Sequence, residues 1–183
     1  MNEIFITGVR VIDLRFPTSR EHIGSDAVNK DPDYSAAYCI LETNSGLEGH
    51  GLTFTLGRGT DLVVQAARYL SRYVANRTLN SLTDDLRALS RQLTDESQFR
   101  WLGPEKGVIH LAAGALINAV WDLYARAEKK PLWQLLTEME PCQILKAIDF
   151  RYIDDALTPE EAREILEKAR SNCGRRAGPV TAG

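Results

Sequence analysis

Catalysis needs particular side chains at particular spacings, and this chain of 183 residues is sparing with them. His22, His50 and His110 lie far apart. None has a second His or Cys three or four positions away, the spacing at which a turn or helix face presents two ligands to one metal. His110 sits in an Ala-rich apolar run and reads as a partly buried, hydrogen-bonded side chain; His50 reads as facing outward from a strand. LGRGTD, Leu56 to Asp61, sets two glycines before a helix, where backbone N–H groups can cradle a phosphate. The full GxxxxGK[ST] or GxGxxG pattern is missing, and Asp61 puts a negative charge where the anion would sit, which favours a hinge or cap. The adjacent acids Asp84–Asp85 and Asp154–Asp155 point different ways from their backbone and read as solvated. There is no GxSxG and no Cys with a nearby His pattern. The residues by themselves offer no catalytic constellation and no metal site.

Composition points to an ordinary folded protein. Hydrophobic residues make up 44% and charged residues 26%, outside the range of disordered chains and enough for one core. A net charge of −3 with both signs interspersed gives no basic field for nucleic acid or an anionic membrane surface. Cys39, Cys142 and Cys173 are odd in number and share no metal-type spacing, which fits free thiols in a reducing, cytosolic compartment. The first residues, MNEIFITGVRVIDLRF, carry Glu3 and Asp13 and read as a strand rather than an export signal. Gly107–Trp121 is apolar but shorter than the roughly 20 residues of a membrane helix, and reads as a core helix.

The elements that would position any site follow a simple order. Ile4–Phe16, Ala36–Thr43 and Gly49–Thr55 are rich in β-branched and aromatic residues, and the turn NSGLE joins the last two as a hairpin. From Thr60, an expected N-cap, the spacing of Leu62, Val63, Ala66, Ala67 and Leu70 turns helical. A second helix is expected over Leu82–Leu93, and a long one opened by Gly103, Pro104 and Glu105. Its apolar face of Val108, Leu111, Ala112, Ala115, Leu116, Ala119 and Leu123 is mostly Ala and Leu, so neighbours can approach closely. Pro131 interrupts, PLWQLL restarts a short helix, and a strand is expected over Ile144–Phe150. Thr158, Pro159 and Glu161 have the form of a capping box, opening a last helix. After Arg170 the periodicity stops, as in a disordered tail. The fold class is α+β: a three-stranded antiparallel meander followed by a helical bundle, not a doubly wound nucleotide fold. Between the first two strands lies the long polar segment Arg15–Ser35, and connections of that length are usually lids, binding loops or linkers.

The segments VRVIDLRFPTS, GSDAVNKDPDYSAAY, GLTFTLGRGTD, QFRWLGPEKGVIHLA, NAVWDLYARAEKKPLWQLL and IDFRYIDDALT, in this order, resemble the N-terminal part of the L-fuconate dehydratases. These form a branch of the mandelate racemase group of the enolase superfamily. The likeness runs from about Val9 to about Arg170. Ile117 stands where the wider group usually has an acid or amide, and Thr137 where it usually has Gly; both touch helix packing rather than a site. The resemblance implies an enolase-like N-terminal capping domain over residues 1–140, a connecting strand and helix over 141–170 leading toward a TIM barrel, and a tail over 171–183. It implies that the Arg15–Ser35 loop is a substrate lid, with Gly24, Ser25, Asp26 and Tyr34 on the substrate-contacting positions. Asp26 can accept from sugar hydroxyls, Ser25 can donate or accept, Gly24 allows close backbone approach and Tyr34 offers a flat face and a hydroxyl. Read without the resemblance, DPDY is a turn in which Pro32 fixes the chain and Tyr34 anchors the next strand.

In the resembling enzymes the barrel carries three carboxylates for Mg²⁺, a Lys-x-Lys pair and a His. A base removes the proton next to the substrate carboxylate, Mg²⁺ stabilises the enediolate, and loss of the neighbouring hydroxyl gives a 2-keto-3-deoxy acid. A TIM barrel takes about 250 residues, and this chain of 183 has no Lys-x-Lys. The expectation is a cap without its catalytic partner, with no catalytic or metal-ligating residue of its own. Its expected partners are a sugar acid and the missing barrel, with self-association open and no membrane or nucleic acid. The other class of function is a stand-alone interaction protein, in which helix faces that would pack on a barrel meet another chain instead.

Overall fold

The computed structural model describes residues 3–102 and 107–176. Strands β1 (Ile6–Arg15), β2 (Ser35–Thr43) and β3 (Glu48–Thr55) form an antiparallel meander in the order β1-β2-β3. Val11 pairs with Cys39 and Cys39 with Gly51, while the next row pairs Ile12 with Tyr38 and Tyr38 with Leu52. Because side chains alternate across a strand, these two rows define opposite faces. The inner face buries Val11, Ala37, Cys39 and Leu41 against the helices.

The helices are α1 (Thr60–Leu70), α2 (Leu79–Thr83), α3 (Leu86–Thr94), α4 (Val108–Ala127), α5 (Leu132–Glu138), α6 (Pro141–Leu145) and α7 (Pro159–Arg176). Helix α4 lies directly on the sheet. Gly49 and Gly51 make this possible, since a Cβ on Gly51 would stand 2.1 Å from the Ala115 carbonyl oxygen and one on Gly49 2.4 Å from that of Ala119. Glycine here serves close backbone approach, matched by Ala112, Ala115 and Ala119, all buried on α4. Asp122 of α4 accepts a 2.8 Å hydrogen bond from the His50 backbone N–H, occupying a donor on the outer edge of β3 that would otherwise invite another strand.

Several expectations need correction. The helix expected over Leu82–Leu93 is two helices, because the Asp85 carboxylate caps α3 by accepting from Ala88 N–H at 2.9 Å. Gly59, not Thr60, caps α1, with φ +94°. The expected opening of α4 at Gly103, Pro104 and Glu105 lies outside the described residues. Helix α4 has 20 residues, long enough for a bilayer, so its length does not exclude a membrane; what marks it as a core helix is the burial of Ile109, Leu116, Val120 and Leu123.

Ile144–Phe150 is not a strand: α6 ends at Leu145, and a 3₁₀ turn covers Phe150–Tyr152. Its apolar residues form a cluster of their own, Leu145, Phe150 and Ala162 with Ile148, Leu157 and Leu166 around them. A short apolar run does not by itself distinguish the two structures. The capping box does form, with Thr158 N–H on Glu161 Oε2 at 2.9 Å and Glu161 N–H on Thr158 Oγ1 at 3.2 Å. Helix α7 then continues to Arg176, past the expected end at Arg170, carrying Gly174 at a cost of roughly 1 kcal/mol. The rest of the expected tail lies outside the described residues.

Candidate functional site: the loop between the first two strands

The connection from β1 to β2 is an ordered loop closed at its base. Phe16 N–H donates to the Tyr34 carbonyl at 2.8 Å, and a 3₁₀ turn, Thr18–Glu21, starts the ascending leg. Thr18 joins the two legs, its hydroxyl donating to the Pro32 carbonyl at 2.9 Å and accepting from Tyr34 N–H at 3.0 Å. Ser19 adds a second bridge, with N–H and Oγ both on Asp33 Oδ1 at 3.1 and 2.6 Å. Those hydrogen bonds hold the Asp33 carboxyl below its ordinary value. A loop of this length in a compact domain is more often a lid or binding loop than a plain connection.

Gly24 and Tyr34 are brought together. Gly24 has φ +74°, and a Cβ there would stand 1.9 Å from the Tyr34 hydroxyl and 2.5 Å from its Cζ. The position is therefore closed to larger residues by conformation and by space. Tyr34 in turn rests edge-on against Phe54 of β3, with centroids 5.3 Å apart. Ser25 and Asp26 follow on the exposed tip. Ser25 Oγ donates to the His22 carbonyl at 2.9 Å. Asp26 Oδ1 accepts from Val28 and Asn29 N–H at 2.8 and 2.6 Å. The bond from Asn29, then that from Val28, keeps the Asp26 carboxyl below the usual range and so ionised at neutral pH. Oδ2, with only a 3.4 Å contact to Asn29 Nδ2, keeps most of its accepting capacity.

The second segment at this end of the sheet is the turn from Leu56 to Gly59. The sequence marked its glycines as a hinge or cap, but gave no sign that Arg58 reaches Asp31 of the loop, with Nη2 2.7 Å from Oδ2. The partners are 27 positions apart with no periodicity linking them. Thr18, Ser19 and Asp33 were likewise not singled out, and only their residue types, common in turns, could have suggested them.

The remaining candidates stay apart. His22 is exposed and left-handed, with φ +53°. His50 is half-buried on the outer sheet face, Nδ1 3.2 Å from the Tyr38 hydroxyl and Nε2 3.6 Å from Glu48. His110 is partly buried as expected, but its Nδ1 is buried without a hydrogen-bond partner, where a bonded ring was expected. Burial pushes the Cys39 thiol up to about 12, which leaves it a poor nucleophile at neutral pH. Among the described residues no three His, Cys, Asp or Glu side chains cluster as a metal site requires. The loop offers hydroxyl, carboxylate and ring surface suited to a polyol. It does not bring together an acid and a base.

The comparisons agree with this architecture. The chain is 56% identical over 167 residues to mitochondrial enolase superfamily member 1 of Xenopus laevis, covering 90% of this chain and 38% of that protein. It is 51% identical over 176 residues to an L-galactonate dehydratase of Hypocrea jecorina, covering 96% of this chain and 39% of that protein. The crystal structure of human mitochondrial enolase superfamily member 1 superposes with a TM-score of 0.89 at 50% identity, over 95% of this chain and 40% of that one. The chain thus spans well under half the length of these relatives. Residues 22–137 match the mandelate racemase / muconate lactonizing enzyme N-terminal domain, and the chain belongs to that family.

Proposed function

We propose that this chain is the substrate-covering, specificity-setting cap of a longer dehydratase that acts on a sugar acid, L-fuconate or a close stereochemical relative. The observation that carries the reading is the ordered loop, in which Gly24 is packed on Tyr34 and Ser25 and Asp26 are held at the tip. Such a cover orders a hydroxyl-rich substrate and keeps water from a reactive intermediate. The resemblance and the similarity to an L-galactonate dehydratase both favour this substrate class.

Mg²⁺, which the resemblance implies for the whole enzyme, does not fit the described residues, since they hold no cluster of ligands. In this reading the groups that move protons and hold the cation belong to a barrel outside these 183 residues.

Two measurements on the purified chain test the proposal. Titration with L-fuconate, followed by amide NMR, is expected to shift Gly24, Ser25, Asp26 and Tyr34 and to leave the inner sheet face unmoved. Shifts elsewhere only, or none with any sugar acid tried, refute the lid. Incubation with L-fuconate and Mg²⁺ is expected to release no keto acid, and measurable release refutes the division of labour.

One observation favours a second reading, a stand-alone interaction protein. The outer sheet face exposes Ile12, Leu14, Leu52 and Phe54, with Phe16 and Leu56 beside them, a larger apolar run than isolated surface residues would make. Helix residues Leu132, Trp133 and Leu136 of α5 are exposed as well, so in this reading the helix faces remain candidates beside the sheet. Sedimentation as a monomer across a wide concentration range would count against self-association through it.

A further inference from the structure

We propose that Arg58 is the latch of the lid, a positioning residue that holds the descending leg of the 16–34 loop in place through Asp31. The inference rests on the reading of that loop as a cover. It starts from the post on which Arg58 stands. Gly57 and Gly59, at φ +88° and +94°, flank it in a turn that only glycine forms without strain. Thr60, buried to 1% exposure, fastens that turn, with its hydroxyl on the Gly57 carbonyl at 2.6 Å, its N–H on the same oxygen at 3.0 Å, and Thr55 Oγ1 2.9 Å away. The turn is therefore fixed to β3 and to the start of α1.

From this post the Arg58 side chain, 83% exposed, crosses to Asp31, 64% exposed, at 2.7 Å. Gly57 meets the same leg directly, since a Cβ on it would stand 3.0 Å from Asp33 Cβ. The other ties lie at the base of the loop, as with Phe16–Tyr34 and Tyr34–Phe54, or inside it, as with Ser19–Asp33 and the Asp26 turn. A solvated ion pair is weak and screened by salt. That suits a cover that must open often, because closure is then favoured without being locked. Rigid post, reaching guanidinium and far-leg carboxylate together add a salt-sensitive contribution to the ties that hold the lid closed.

The test uses the whole chain without substrate, so it stands or falls separately from the L-fuconate titration. Trypsin cleavage after Lys30, next to Asp31, reports release of the far leg. Amide exchange at Ser19 and Tyr34, whose N–H groups bridge the two legs, reports splaying. Arg58→Gln and Asp31→Asn are each expected to speed both by roughly two- to five-fold, while sheet amides such as Cys39 and Leu41 exchange as before. Arg58→Lys should restore most of the protection, as should the charge-swapped double variant Arg58→Asp/Asp31→Arg. High salt should speed amide exchange in the lid of the wild-type chain but not of Arg58→Gln. Unchanged lid exchange in Arg58→Gln, equal salt effects on both proteins, or equal acceleration in the sheet would overturn the latch.

Discussion

Gly24→Ala puts the geometry of the 16–34 loop to a quantitative test. An alanine held near φ +74° costs about 1–2 kcal/mol against glycine. The added Cβ would also lie 1.9 Å from the Tyr34 hydroxyl, so the ring must move away and give up its edge-on contact with Phe54, worth about 0.5–1.5 kcal/mol. Together the closed loop loses about 1.5–3.5 kcal/mol, equivalent to roughly 10- to 300-fold faster exchange of the bridging amides of Ser19 and Tyr34. The loop can detach from the sheet while the core stays folded. The loss in global stability, read from urea unfolding, is therefore capped at the loop's own opening free energy. Gly46→Ala is the control. Gly46 has φ +79° and nothing within 4 Å of its would-be Cβ, so it carries the conformational cost of about 1–2 kcal/mol alone. Tyr34→Phe in the Gly24→Ala background should help only partly, since Cζ would remain 2.5 Å away, whereas Gly24→Ala measured against a Tyr34→Ala background should show the conformational cost by itself. If Gly24→Ala leaves the Tyr34 ring resonances and the loop exchange as they are in the wild type, the packing argument for the lid is wrong.

Gly51→Ala should be far more damaging to the whole fold, because its Cβ would meet the backbone of α4 at 2.1 Å, and a loss of about 3 kcal/mol or more in urea unfolding is expected. For pH, the hydrogen bonds from Arg91, aided by Arg151, hold the Asp149 carboxyl far below its ordinary value. A depressed carboxyl contributes stability above its unfolded pKa of about 3.9 and loses it as pH falls through the lower folded value. Asp149→Asn should therefore be less stable than wild type at neutral pH, with the gap in unfolding midpoint narrowing below about pH 4; a gap independent of pH would refute the assignment. Among the described cysteines, Cys142 is exposed and Cys39 buried, so a thiol reagent at mildly alkaline pH should modify Cys142 in the folded chain and Cys39 only on unfolding.

The sequence made the meander legible through composition, because three runs rich in β-branched and aromatic residues, the last two joined by NSGLE, correspond to β1, β2 and β3. The close approach of α4 could also be anticipated from its alanines, although the matching Gly49 and Gly51 were not singled out. Errors came where the local signal is shared by two outcomes. Asp85 looks like any helix-surface acid until it turns back to cap α3. The run Ile144–Phe150 has the composition of a strand, but three-dimensional context gives it a small cluster with α7 and ties Asp149 to Arg91 on α3 at 2.6 Å. At the candidate site, residue types told of a turn rich in Asp, Pro, Ser and Gly. The pairing of Gly24 with Tyr34, and of Arg58 with Asp31, joins positions that no spacing rule connects. The substrate-contacting role proposed for Gly24, Ser25, Asp26 and Tyr34 rests on the resemblance alone.

The way the lid spends its hydrogen bonds also bears on how it could select a substrate. Asp26 Oδ1 is occupied by two backbone donors and the Ser25 hydroxyl proton by the His22 carbonyl. What remains outward is acceptor capacity, on Asp26 Oδ2 and the Ser25 oxygen, fixed in place before any ligand arrives. Fixed acceptors favour ligands rich in hydroxyl donors, and because they are already ordered, binding incurs less side-chain entropy loss. A negative carboxylate at the tip would also repel the acid end of a sugar acid, so the hydroxylated tail is the end this surface suits. That orientation leaves the carboxylate to the other side of the substrate, where the electrophilic chemistry of such acids takes place. In the proposed reading, a cap with ionised Asp26 and no cation cluster among its described residues is thus better fitted to reading the hydroxyl pattern of a substrate than to activating its carboxylate.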